Sequence, residues 1–348
     1  MKKVKKILTM AVATMMLAAT FVGCGSKPAE NTDKGGEKGK VLKVGVLLYK
    51  FDDTYISTVR QSLQEIAAKN ADKIEFEFFD GKGDQATQND AIDTVLQKDM
   101  DLLLVNLVDT GAAQTVIDKI KAAEKPVVLF NREPATDVIK SYDKSVFVGT
   151  NAAEAGVMQG QIISDIWNKD KTVIDKNGDG KIQYVMLQGE PDNPEAIART
   201  KFSVSTVKDK GIEVEELAQQ VCNWDQAAAQ NTMEAWFANH GDKIEVVIAN
   251  NDGMALGAIA ALQAQGYNKG DAAKQITVVG VDATAAAQDY IAKGYMTGSV
   301  LQDAKGMAEG LYTAAMNLAQ GKSAIEGSSY KFDDTGVAIR IPYQPYLK

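Results

Sequence analysis

The sequence predicts an α/β protein made of two similar lobes, each a parallel sheet flanked by helices. From residue 41 onward, short apolar segments alternate with segments of helical periodicity, the pattern of a parallel sheet with crossover connections. The alternation restarts after residues 131–134, and each half contains an apolar strand that ends in Asn and Asp residues. A chain of 348 residues is long enough for two domains of ordinary size.

The elements follow one another in two series. In the first series, strands are predicted over residues 41–48, 73–79, 102–105 and 126–130, and helices over 55–69, 87–98 and 112–123. In the second, strands are predicted over 145–149, 182–187, 212–218, 244–249 and 275–281, and helices over 152–167, 195–210, 226–239 and 254–262. If the carboxyl edges of the two sheets face each other, the polar residues at their strand ends line one cleft.

The amino terminus has the features of a targeting segment. Four lysines precede an apolar stretch over residues 7–22, which ends at Gly23-Cys24. A small residue directly before a cysteine resembles the lipobox of bacterial lipoproteins. We therefore expect residues 1–23 to be a signal peptide, Cys24 to be lipidated, and residues 24–40 to form a flexible tether to the membrane. The alternative is a secretory peptide cleaved at another position.

Charge and histidine content exclude some classes of function. The formal net charge of −8 argues against a nucleic-acid partner. The single histidine, His240, cannot build a multi-histidine metal site. An enzyme such as a glycosidase that uses Asp53 with Glu195 or Asp282 is an alternative. The chain has no phosphate-binding loop, nucleophile elbow or histidine base to support one.

Polar side chains follow the strands where a ligand would bind. Asp53 and Tyr55 come after the first strand, and Asn251 and Asp282 come after strands of the second series. Each acid or amide could instead cap the helix that follows it. Glu195 and Arg199 lie one helical turn apart, so they either form an exposed ion pair or point into the cleft.

A second motif is typical of a calcium-binding loop. Oxygen donors stand at positions 1, 3, 5 and 9 of the segment that begins at Asp175, with Gly at position 6 and a backbone carbonyl at position 7. The ligands are Asp175, Asn177, Asp179, the carbonyl of Lys181 and Gln183. Position 12, where an EF-hand has Glu, is Met186, so a distant carboxylate must complete the site. The alternative is a tight turn that binds no metal.

Several segments together resemble the periplasmic galactose/glucose-binding proteins, the sugar-binding components of ABC importers. They are KVGVLLYKFDDTY, VNLVDTGAAQTVI, PVVLFNREP, SYDKSVFVGT, DKNGDGKIQYVMLQGEP, KIEVVIANNDGMALGA and VVGVDA, and the similarity extends from residue 41 to about 341. The resemblance implies the type I periplasmic binding protein fold, in which two Rossmann-like lobes joined by three crossovers close over one monosaccharide. It also implies a structural calcium ion, with Glu245 as the distant carboxylate.

The resemblance assigns sugar-binding roles to ten residues. It places hydroxyl partners at Asp53, Asn106, Arg199, Asn251 and Asp282, stacking aromatics at Trp224 and Tyr55, and further contacts at Asn193, Glu195 and Gln302. Asn193, Glu195, Gln302 and Tyr55 depart from the family's own His, Asp, Asn and Phe. D-galactose or D-glucose is the expected ligand, and another hexose or a pentose is the alternative.

The resemblance also predicts the organisation and partners of the protein. We expect an N-terminal lobe of residues 41–125 and 303–337, and a C-terminal lobe of residues 126–302 and 338–348. The expected protein is a monomeric, membrane-anchored, extracytoplasmic lipoprotein that delivers its sugar to an ABC transporter permease. A sensor role, in which a chemoreceptor or histidine-kinase ectodomain binds the closed form, is an alternative that the sequence does not separate from transport.

Overall fold

Two six-stranded sheets organise the computed structural model, which describes residues 40–348. The expected signal peptide, Cys24 and residues 24–39 of the tether lie outside the described residues. Contacts group the described residues, 40–348, into a single unit. Within residues 40–348, no helix is long and apolar enough to cross a membrane.

The first sheet is parallel throughout, and its strands stand in the order β11-β5-β4-β3-β1-β2. These strands are β1 (Leu42–Leu48), β2 (Ile74–Asp80), β3 (Leu102–Val105), β4 (Val127–Phe130), β5 (Ser145–Gly149) and β11 (Ala338–Arg340). The helices packed with it are α1 (Thr54–Lys69), α2 (Gln85–Gln97), α3 (Ala113–Ala122), α4 (Thr136–Lys140) and α10 (Ala304–Leu318).

The second sheet has the order β12-β10-β9-β8-β6-β7, and only β12 runs antiparallel to its neighbour. Its strands are β6 (Lys181–Gln188), β7 (Glu213–Val221), β8 (Val246–Ala249), β9 (Thr277–Asp282), β10 (Gly298–Gln302) and β12 (Tyr343–Tyr346). Its helices are α5 (Ala152–Lys169), α6 (Pro194–Asp209), α7 (Gln226–His240), α8 (Asp252–Ala264) and α9 (Ala285–Lys293).

Both sheets are buried on both faces, which explains why their central strands are continuously apolar. Every residue of β3, β4 and β8 is buried, as expected for parallel strands covered by helices on each side. In the first lobe, α1 and α10 cover one face of the sheet while α2 and α3 cover the other. In the second, α7, α8 and α9 lie opposite α5 and α6. The predicted α/β fold of two parallel-sheet lobes is confirmed.

The chain passes between the two sheets three times. The passages follow β5, β10 and β11. The predicted lobe boundary at residue 126 is therefore wrong, because β4 pairs with β3 and β5 pairs with β4 in the first sheet. In the sequence, the polar loop after β4 resembles the start of a second lobe, but in the structure it only connects β4 to α4 of the same lobe. The predicted boundary at residue 338 also moves, since β11 pairs with β5 of the first sheet.

Candidate functional site

A polar cleft lies between the carboxyl ends of the two sheets. The space among its side chains amounts to about 380 Å³, part of it open to solvent. It is lined by Tyr49, Asp53, Tyr55, Ile56, Asn131, Arg132, Asn193, Glu195, Arg199, Trp224, Asn251, Asp282 and Gln302. Nine of the ten residues expected to bind sugar are therefore brought together, although they come from separate segments of the chain.

Asn106 is the predicted site residue that does not line this cleft. It is fully buried behind Tyr49, and its amide holds neighbouring strand ends together. Its Oδ1 accepts from the Tyr49 backbone N–H, while its Nδ2 donates to the Phe130 carbonyl and to Asn131 Oδ1. Asn106 thus positions Tyr49 and Asn131, two cleft residues that the sequence analysis did not identify.

Asp53 and Asn251 are helix caps as well as cleft residues. Asp53 Oδ1 accepts from the N–H groups of Tyr55 and Ile56 at the start of α1. Asn251 Oδ1 accepts from the Met254 N–H at the start of α8. The capping interpretation is confirmed for both residues. Because capping leaves lone pairs free on each side chain, it does not prevent ligand binding, which stays a prediction.

Arg199 is the centre of a buried hydrogen-bond network at the base of the cleft. Its Nη1 donates to the Asn250 carbonyl at 2.8 Å. Its Nη2 lies 3.0 Å from Glu195 Oε2, 3.0 Å from Gln302 Oε1 and 2.8 Å from the Tyr343 hydroxyl oxygen. Glu195 and Arg199 therefore form a buried pair, and the exposed ion pair considered from the sequence is wrong.

This network connects the cleft to the crossovers. Glu195 Oε1 accepts from Thr150, which directly follows β5, and the Tyr343 hydroxyl contacts both Thr150 and Glu195. Burial disfavours the charge on Arg199, but the adjacent Tyr343, Glu195 and Asp282 outweigh it and raise the arginine's pKa. Arg199 is therefore fully charged at neutral pH. No sequence motif pointed to Tyr343, since it lies at the start of a short terminal strand.

Asp282 and Asp252 are a pair of buried carboxylates beside Arg199. Burial is the main cause that raises the pKa of Asp282 well above its usual value, and the charge of Asp252 adds to it. Burial also raises the pKa of Asp252 to about 7, although the Ser299 hydroxyl and the Thr284 N–H donate to it. Such carboxylates gain most from a ligand that brings hydroxyl donors.

Trp224 packs closely against Gly189, which has no side chain to obstruct the indole. The Trp224 φ of 64° is unusual for a residue with a side chain. A Cβ added to Gly189 would lie 2.3 Å from Trp224 Cζ2, so only glycine permits this contact. The indole therefore lines the cleft from the second lobe, whereas Tyr55 lines it from the first. An aromatic face in a polar cleft suits the C–H surface of a sugar ring.

Arg132 bridges the two lobes at the edge of the cleft. Its guanidinium lies 4.1 Å from the centre of the Tyr49 ring and donates to the Val108 carbonyl at 2.8 Å. It also forms an ion pair with Glu190 of the second lobe. The sequence analysis did not assign Arg132 to the site. The only sequence feature that indicated a ligand-binding role was its position just after β4.

The predicted calcium loop has the donor types that the ion requires. Asp175 Oδ1 is buried and, within residues 40–348, has no hydrogen-bond partner. Glu245 reaches the loop as expected, because it accepts from the N–H groups of Lys176 and Gln183 at 2.8 and 3.0 Å. Burial is the main cause that raises the pKa of Glu245, and the nearby charge of Asp175 adds to it. A cation beside both carboxylates would relieve this cost.

The remaining loop donors are hydrogen-bonded to each other. Asn177 Nδ2 donates to Gln183 Oε1, and Gln183 Nε2 donates to Asp179 Oδ2. In the part of the chain that is described, no three acidic, histidine or cysteine side chains close into a metal-binding cluster. Half of the expected set is neutral oxygen from two amides and the Lys181 carbonyl. The residues fit calcium provided that these amides turn their oxygens toward it.

Comparison with known proteins agrees with this architecture. The family model described as "Periplasmic binding protein domain" matches residues 44–323. The D-galactose/methyl-galactoside binding periplasmic protein of Haemophilus influenzae is 40% identical over 302 residues, which cover 86% of this chain and 88% of that protein.

Solved structures show the same fold. An ABC transporter solute binding protein from Bacillus halodurans with bound myo-inositol superposes with a TM-score of 0.72 at 27% identity, covering 90% of this chain and 96% of that one. A Mycobacterium smegmatis protein in complex with β-D-fucofuranose gives a TM-score of 0.74 at 24% identity, covering 88% and 91%.

The fold and the cleft define a two-lobed solute-binding protein. The chain belongs to the periplasmic binding protein family, as the match over most of its length shows. Members of this family bind solutes for ABC transporters and are not enzymes. The expectation of a non-enzymatic, type I periplasmic sugar-binding protein is confirmed.

Proposed function

We propose that this chain binds one monosaccharide of the galactose/glucose type in the inter-lobe cleft and delivers it to an ABC importer. The observation that carries the proposal is the arrangement of Arg199, Asn251, Asp282 and Trp224 around one space. Carboxylates and amides suit hydroxyl groups, and the indole suits the ring's C–H face. A relative named for D-galactose and methyl-galactoside binding, at 40% identity, supports this sugar class.

The permease recognises the form of the protein in which the two lobes are closed over the sugar. Arg132 and Glu190 pair across the cleft, so the structure has the two lobes in contact at its edge. A sugar that contacts both lobes binds the closed form better than the open one and shifts the population toward it. The closed protein then docks on the membrane-embedded transporter.

Two further assignments complete the proposal. Calcium is a structural ion that ties the loop beginning at Asp175 to the strand beginning at Val246, through Asp175, Asn177, Asp179, the Lys181 carbonyl, Gln183 and Glu245. Cys24 carries the lipid anchor, and the residues that follow it tether the sugar-binding unit to the membrane. Its sequence context supports the anchor, and the orphaned Asp175 oxygen supports the ion.

A thermal-shift panel tests the sugar assignment. Residues 40–348 are heated with calcium and with D-galactose, D-glucose, D-xylose, L-arabinose, D-ribose or myo-inositol in turn. A ligand that binds only the folded state raises the midpoint by an amount set by its concentration relative to Kd. Shifts selective for galactose and glucose support the proposal. If only a pentose or myo-inositol raises the midpoint, that compound is the ligand in place of galactose or glucose. If none of the compounds raises the midpoint, the sugar-binding assignment is overturned.

A further inference from the structure

Three buried polar atoms on the cleft lack a hydrogen-bond partner among residues 40–348. They are the Tyr55 hydroxyl, Arg199 Nε and Gln302 Nε2. All three side chains are more than nine-tenths buried. A buried polar group with no partner is costly, and its persistence at a binding cleft indicates that the ligand supplies the partner.

All three atoms are hydrogen-bond donors in the state present at neutral pH. Arg199 Nε and Gln302 Nε2 can only donate. Burial, together with the nearby charge of Asp282, raises the pKa of Tyr55 well above its usual value, so the phenol keeps its proton. These three groups, one from the first lobe and two from the second, therefore present donors to the cleft, whereas the carboxyl oxygens of Asp53 and Asp282 can accept.

Two polar side chains of the cleft already use their oxygens within the protein. Gln302 Oε1 accepts from Arg199, and both oxygens of Glu195 accept from Thr150, Arg199 or Tyr343. The Tyr55 ring is buried and packs in the hydrophobic cluster of the first lobe, which restricts its movement. The Tyr55 hydroxyl has no partner among residues 40–348 and lies on the cleft, so a ligand oxygen bound there can accept from it.

We propose that Tyr55 is a specificity-determining residue, whose phenolic hydroxyl donates a hydrogen bond to one hydroxyl oxygen of the bound monosaccharide. Sugars that lack that oxygen leave the phenol buried and unpaired, so the site rejects them. A phenylalanine at this position would keep the aromatic face and lose the discrimination. The inference rests on the proposed monosaccharide function and adds a specific role for one side chain.

The test pairs Tyr55→Phe with a set of deoxy sugars. Affinities of wild type and variant are measured by titration calorimetry for D-galactose, for its 2-, 3-, 4- and 6-deoxy analogues and for 1,5-anhydro-D-galactitol. In wild type, we expect one analogue to lose roughly 10-fold or more in affinity because it leaves the phenol unpaired. In Tyr55→Phe that same analogue loses much less, while the penalties of the others stay unchanged. Tyr312→Phe, which removes a hydroxyl that donates to Asn70 remote from the cleft, is the matched control.

The melting temperature without sugar separates this role from a structural one. A hydroxyl that only stabilised the fold would lower the midpoint when removed. An unpaired buried hydroxyl leaves the midpoint of Tyr55→Phe unchanged or higher. Equal penalties for every analogue in both proteins overturn the proposal, as does a lowered midpoint with unchanged sugar selectivity. If wild type binds neither galactose nor any sugar of the thermal-shift panel, the proposed function fails first.

Discussion

Arg132 and Glu190 form an ion pair across the cleft, and each lies two residues beyond a strand end, one in each sheet. Arg132 is almost fully buried, whereas Glu190 is about one-third exposed. The pair joins the lobes independently of any sugar, so it contributes to the balance between open and closed forms. Part of the sugar affinity should therefore depend on two residues at the edge of the site.

The first prediction concerns this contact. Glu190→Gln removes the charge with little change in shape and leaves Arg132 buried without its counter-ion. We expect sugar to dissociate faster and the affinity to fall roughly 3-fold or more, because a smaller fraction of the protein is closed. Stopped-flow tryptophan fluorescence measures the dissociation rate. Glu309→Gln, which breaks an exposed pair with Lys305, is the control, and equal rates in the two variants would contradict the prediction.

A second prediction concerns Gly189. Alanine there would place a methyl group 2.3–2.5 Å from three atoms of the Trp224 ring, so the indole must move. We expect a marked loss of sugar affinity while the aromatic residue itself remains, together with a change in the fluorescence response to sugar. Overpacking costs about 1–3 kcal/mol of stability in general, so Gly45→Ala, which crowds Val95 away from the cleft, controls for it. An affinity loss that is the same in both variants would mean that the position of Trp224 is unimportant.

The third prediction tests the calcium ion. Binding at 100 times Kd stabilises a folded protein by about 2.7 kcal/mol. We expect calcium to raise the melting midpoint of wild type above its value in chelator, and Glu245→Gln to lose most of that increment. Glu216→Gln, on the edge strand β7 of the same sheet, should keep it. If both variants retain the calcium increment, Glu245 is not a ligand.

A fourth prediction follows from the buried carboxylate pair. Because the pKa of Asp252 in the folded protein, about 7, is above its ordinary value near 3.8, the folded state binds more protons than the unfolded state between those pH values. The contribution of Asp252 to stability therefore falls as pH rises through this window. Because the amide in Asp252→Asn does not ionise, the variant loses no stability from this group as pH rises. The free energy of unfolding of the variant should improve relative to wild type by about 1 kcal/mol or more between pH 5 and pH 7.

Urea denaturation at several pH values measures this difference. Asp289→Asn, which changes an exposed carboxylate paired with Lys293, should show a constant offset over the same range. A constant offset for Asp252→Asn as well would show that Asp252 is ionised throughout and that its pKa is not raised.

The sequence predicted the fold because each buried parallel strand is a short apolar run that ends in polar residues. Asn251 and Asp282 were identifiable for that reason, since the end of such a strand is where a ligand binds. The lobe boundary was not predictable in the same way. Pairing of β4 and β5 within the first sheet depends on tertiary contacts that leave no local mark, and the polar loop after β4 resembled a linker.

The residues missed by the sequence analysis are those whose roles depend on long-range contact. Tyr343 reaches Arg199 from the last strand, 144 residues away along the chain. The converse case is Asn106, which lies at a strand end and which the sequence analysis assigned to the site, yet its amide is used inside the protein. Strand-end position predicts closeness to the cleft, but only the packed structure decides which side chains face it.

Titration calorimetry of D-galactose into residues 40–348, with Asp282→Ala measured alongside, tests the central claim most directly. The account predicts one sugar per chain, competition by D-glucose, and loss of at least two orders of magnitude in affinity in the variant, since a buried hydroxyl–carboxylate contact disappears. A stoichiometry of one that survives in Asp282→Ala with unchanged affinity would place the sugar outside this cleft and contradict the account.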